Sequence, residues 1–136
     1  MAEIFDLNII DANNTGRWPD GMSVQSVNDS GRAMEGMHAR HYRDTSYISI
    51  SAGTGAAYTL TPNRAVAAYQ SGLVFDFLAH IANTGAATLK IGALAAKPLV
   101  RDSGSALVVG DIVQHQPVRA VYVAASDHFR CLGIRA

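Results

Sequence analysis

Cysteine is almost missing from this chain: Cys131 is the single one among 136 residues. No disulfide can form within the chain, and folding in a reducing cytoplasm is expected. Its setting, Phe129-Arg-Cys-Leu132, alternates like a strand, which predicts a packed and unreactive thiol. Charge is scarce too. Charged residues make up 16% of the sequence against 49% hydrophobic ones, and the formal net charge is zero. So little polar surface suits a protein covered by neighbours in an assembly. There is no basic stripe, which argues against nucleic acid as a partner. Glutamate occurs twice, at Glu3 and Glu35, and the nine aspartates are dispersed, so paired carboxylates for acid–base catalysis are lacking. A Gly-x-Ser-x-Gly elbow, a Gly-Lys-Ser/Thr phosphate loop and a His-Glu-x-x-His zinc helix are all missing. No run approaches the ~20 apolar residues of a membrane span. The opening residues 1–6 have neither the basic nor the apolar part of a signal peptide. The expectation is a protein that is not an enzyme, carries no cofactor and does not enter a membrane.

What is present divides into three parts. Residues 1–21 read as an extended arm, with Leu7, Ile9 and Ile10 as an apolar patch and Trp18-Pro-Asp-Gly21 as a turn. The only tryptophan, Trp18, sits in this arm, where it serves either as an anchor on a neighbouring surface or as a contact with its own β domain. Residues 22–44 predict one amphipathic helix with Ser23 as N-cap. Val24, Val27, Gly31, Met34, His38 and His41 recur at spacings of three and four, an a/d seam. Self-association and docking on the β domain both explain such a seam. In a three-fold bundle His38 and His41 would each form an axial ring able to hold a metal or an anion. The plainer reading makes them polar residues at a fraying helix end, and no metal is assigned.

From Thr45 to residue 136 the pattern changes to period two. Strands are expected at 47–50, 57–61, 73–81, 87–91, 99–101, 112–113, 118–123 and 129–132. Asn83-Thr-Gly85 reads as a hairpin turn, Ser51-Ala-Gly-Thr-Gly55 as another turn, and Lys97-Pro98 as a break. The phrase Thr-Gly-Ala-Ala occurs at both Thr54 and Thr84, one turn device used twice. Asp76, between Phe75 and Phe77, is read as facing solvent; buried, it would need His80 or an Arg as partner. The fold class expected is mainly β: the arm, one amphipathic helix, then a small antiparallel β sandwich or barrel.

The order of motifs along the chain resembles the N-terminal part of tailed-phage fibre and related virion proteins. The residues that carry the likeness are Trp18-Pro-Asp20, Gly21-Met22, Val27-Asn-Asp29, Gly31-Arg-Ala-Met34 and Tyr42-Arg-Asp-Thr45. It continues through Ala57-Tyr-Thr-Leu60, Gly72-Leu-Val-Phe75, Asn83-Thr-Gly-Ala-Ala-Thr-Leu89, Ala96-Lys-Pro-Leu99, Gly110-Asp-Ile-Val113 and Phe129-Arg-Cys-Leu132. The resemblance implies a non-enzymatic virion structural protein, made in the bacterial host cytoplasm and assembled as a homotrimer. It implies attachment to other capsid, neck or tail proteins through the arm and helix. Leu7, Ile9, Trp18, Val24, Val27 and Met34 are the interface residues expected. No long shaft or receptor-binding tip follows the β region, so a short fibre, spike, fibre base or adaptor is expected. The alternatives are a capsid decoration protein and a host-surface carbohydrate-binding module using Tyr47, Tyr58, Tyr69 and Tyr122.

Overall fold

A computed structural model describes residues 21–134. The helix α1 spans Val24–Asp44. It starts where the Ser23 side chain accepts the Ser26 N–H at 3.2 Å, relieving one unpaired donor of the first turn. It stops where the Thr45 N–H turns back to the Tyr42 carbonyl and the Thr45 hydroxyl donates to His41 O at 2.7 Å. Tyr47 then takes a left-handed φ of 60°, costly for a bulky residue, and leads the chain into the sheet.

Eight strands follow: β1 Ser49–Ile50, β2 Ala52–Thr54, β3 Ala57–Leu60, β4 Val74–Leu78, β5 Ala87–Ile91, β6 Lys97–Arg101, β7 Pro117–Val123 and β8 His128–Cys131. Their order in the single sheet is β1-β4-β7-β8-β6-β5-β3-β2. The two edge strands are separated only by Ser51, so one stretch of chain bonds to β4 with its first half and to β3 with its second. The Ser51 N–H continues the first pairing to Leu78 O at 3.0 Å. The sheet therefore curls into a nearly closed barrel, which removes the exposed edges that an open sheet would leave.

The fold is mainly β, as expected, but the sheet is mixed. β1·β4, β3·β5 and β6·β8 run parallel, and the other neighbours are antiparallel. Parallel neighbours need crossover connections in place of hairpins, and the ordered loops 61–73, 79–86 and 102–116 supply the length. Asn83-Thr-Gly85 is accordingly not a hairpin turn, since β4 pairs with β1 and β7 and never with β5. Ala52–Thr54, read as a turn, is strand β2, and Ile112-Val113 lies in a loop. Lys97-Pro98 begins a strand instead of breaking one. The β6·β8 ladder starts only at Leu99, so the missing N–H of Pro98 falls at the head of the strand.

The barrel interior follows from the period-two pattern. Tyr58 and Leu60, Leu89 and Ile91, Val118 and Ala120, and Phe129 and Cys131 all point inward and are buried. Burial of each large side chain such as Phe75, Phe77 or Phe129 contributes about 1.5–3 kcal/mol. Tyr69 stacks on Tyr122 at 5.0 Å and meets Phe129 edge-on at 5.5 Å, covering one part of the core. Cys131 is fully buried, and burial pushes its thiol up to about 12, the unreactive packing that its sequence setting suggested. The twin Thr-Gly-Ala-Ala turns lie side by side, the Thr84 N–H donating to Gly55 O and the Thr88 N–H to Ala56 O. They lead into the parallel pair β3·β5. Gly55 is required there because a Cβ would stand 2.5 Å from the Ala82 carbonyl oxygen.

Candidate assembly surface

The residues of α1 sort into two stripes. Ser30, Met34, Met37, His41 and Asp44, at spacings of four, three, four and three, form a half-buried to buried stripe, flanked by half-buried Gly31, Gly36 and Arg40. This face lies against β4. At about 100° per residue, Val24, Val27, Gly31, His38 and Tyr42 fall on a second stripe turned about 90° from the first. That stripe is open: Val24 is 79%, Val27 40% and Tyr42 63% exposed. The seam foreseen in the sequence is thus divided. Met34 and His41 belong to the docked stripe, while Val24, Val27, Gly31 and His38 remain on the free one. Leu7, Ile9 and Trp18 lie outside the described residues.

The docked half is fastened by a buried polar latch. The Asp44 carboxylate accepts the Asn63 N–H and Nδ2–H at 2.8 Å each through one oxygen. The other oxygen accepts the Arg64 N–H at 3.0 Å and its Nε–H at 2.9 Å. Both charged side chains are almost wholly buried. Arg64 also donates to Val74 O at 2.8 Å and lies 4.7 Å above the Phe75 ring. A buried charge is tolerated only with partners of this kind. Nothing near Asp44 in the sequence foretells this latch, because its partners lie in the loop 61–73, beyond β1, β2 and β3.

The solvent-facing reading of Asp76 is corrected. Phe75 and Phe77 occupy the interior, so Asp76 points to the outer face of β4, where α1 lies, and is fully buried. Arg119, its cross-strand partner, grips it bidentately at 2.8 and 2.7 Å. The Asp76 carboxylate holds the Arg119 guanidinium above its ordinary range.

Seven further exposed large apolar residues lie on the barrel and the segment that enters it: Ile48, Ile50, Ile81, Val108, Val109, Val113 and Leu132. Four of them flank one rigid node. The buried Asn83 donates from Nδ2 to Gly85 O at 2.8 Å and to Val108 O at 2.7 Å, and its Oδ1 accepts the Ile112 N–H at 2.9 Å. Asp111 reinforces the loop through a bidentate pair with Arg101 and by accepting the Val108 N–H. Those donors hold the Asp111 carboxyl below the usual carboxylate range.

Among the described residues, Ser51 and His80 form an arrangement that superficially resembles a nucleophile with its base. Ser51 Oγ lies 2.8 Å from His80 Nδ1, and His80 Nε2 lies 3.2 Å from Gly53 O. A carbonyl oxygen only accepts, so Nε2 carries the hydrogen and Nδ1 accepts the hydrogen bond that the Ser51 hydroxyl donates. The Ser51 oxygen in turn accepts the His80 N–H at 3.1 Å and is buried. The group is internally satisfied, and its place is the seam where the barrel closes. Tyr58 and Tyr122 are buried in the core, so neither presents a ring face to a sugar. Among the described residues no three His, Cys, Asp or Glu side chains are grouped for a metal ion. No helix among them is long and apolar enough to cross a membrane. No protein-family model matches the chain, and neither does any curated protein.

Proposed function

We propose that this chain is a non-enzymatic structural protein of a tailed-phage virion, a short fibre, spike, fibre base or adaptor that works as a homotrimer. One observation carries the reading: α1 is fastened to its barrel by Asp44 and Met37 but leaves Val24 and Val27 bare on its other half. A helix that needs tertiary packing to persist, with one half unsupported, is built to be completed by another surface. The sparse charge and the motif order from Trp18 to Asp44 support the same reading. Its barrel acts as a compact body, and the helix with the preceding arm makes the attachment to itself and to other virion proteins.

The test is the double variant Val24→Asp with Val27→Asp. Both positions are exposed, so the strand spectrum and the unfolding midpoint should stay close to wild type. Placing two carboxylates per copy in an apolar contact should dissolve the assembly and return the mass of one chain. A double variant that keeps the wild-type oligomeric mass contradicts the proposal.

A further inference from the structure

We infer that α1 is a helix of two unequal segments: residues 34–44 keep their helix on the barrel, while residues 24–31 open to coil in the single chain and fold as it assembles. The second half of this inference rests on the assembly reading above. Only Met37 and Asp44 of α1 are buried, and both lie in its second half. Seven successive residues from Ser23 to Asp29 are exposed, so burial against the barrel holds little of the first two turns. Their stability must therefore be local.

The local sequence does not supply it. Of the eight residues Val24-Gln-Ser-Val-Asn-Asp-Ser-Gly31, Gln25 alone is a good helix former. The valines lose rotamer freedom in a helix, and Ser26, Asn28, Asp29 and Ser30 have side chains that compete for backbone hydrogen bonds. A helix growing back from the docked half must cross Gly31 first and then Ser30, Asp29 and Asn28 before it gains the Ser23 cap. Against this stand Gln25 Nε2 donating to Asp29 Oδ1 at 3.3 Å and the Arg32–Asp29 ion pair at 3.1 Å. The side chains of that pair are 70% and 60% exposed, and exposed pairs of this kind contribute little. Covering Val24 and Val27 supplies the missing burial, so ordering and binding become one step.

Hydrogen exchange on the single chain decides it, prepared by dilution or, where the assembly persists, as the Val24→Asp, Val27→Asp double variant. The amides of 27–31 should exchange about a hundredfold faster than those of 38–44. Gly31→Ala, whose added Cβ would meet nothing of its own chain, should slow the amides of 27–30 about fivefold through helix propensity alone. In the assembled wild type the two stretches should be equally slow. Equal protection on the single chain, or no response to Gly31→Ala, overturns the inference. An assembly whose 27–31 amides stay fast overturns it too, and leaves the assembly reading standing with its contact elsewhere. A wild-type chain that never assembles, with fast 27–31 amides, sinks the assembly reading while the unequal stability of the two segments holds.

Discussion

Asp44→Ala is expected to cost about 3–5 kcal/mol of stability, because it strands the buried Arg64 guanidinium without its counter-charge. The variant also leaves the Asn63 and Arg64 N–H groups without the acceptor they share. Arg64 keeps only its bond to Val74 O and its place over Phe75, neither of which supplies a negative charge. Chemical denaturation should show the loss, and hydrogen exchange should show α1 loosening from β4 before the barrel opens. Removing both charges together, as Asp44→Leu with Arg64→Met, should cost less than Asp44→Ala alone, since no lone charge stays behind. If Asp44→Ala unfolds at the wild-type denaturant midpoint, the latch is not what holds the helix.

Asn83→Ala is expected to cost about 3–5 kcal/mol, although it removes only a small polar group. Three hydrogen bonds vanish at once: the buried Ile112 N–H and the Gly85 carbonyl lose their partner, and the Val108 carbonyl keeps only the Asp111 N–H. Each unsatisfied buried group costs on the order of 1–3 kcal/mol. Asn83→Asp should be comparably harmful at neutral pH, because a carboxylate oxygen would replace the amide nitrogen that now faces two carbonyls. The amides of 108–113 should lose exchange protection first. A variant whose loop amides and unfolding midpoint match wild type would show that the loop is held otherwise.

Much of this architecture could be read beforehand where the signal is local. Ser23 and the spacing of the helix face place α1 to within two residues of its expected start and at its expected end, Asp44. β3, β5, β7 and β8 alternate inside and outside as their sequences do. The misreadings share one cause, which is that the deciding partner is distant in the chain. Ala52-Gly-Thr54 has turn chemistry and becomes a strand because β3 is there to pair with it. Asp76 sits in an alternating pattern that says exposed, and it is buried because α1 lies over β4. Asn83-Thr-Gly85 has hairpin composition, but the barrel places β7 and not β5 beside β4. The helix seam was visible as a period, and only the docked barrel shows that two stripes about 90° apart share it. The latch partners Asn63 and Arg64 carry no signal of their own beyond a loop with proline.

The native mass of the purified chain in solution tests the assembly account most directly. The account predicts a species of three times the 14.4 kDa chain mass, which dissociates when Val24 and Val27 are both made aspartate. A protein that stays a single chain at every concentration at which it remains soluble would contradict it, and would leave Val24 and Val27 waiting for a different protein.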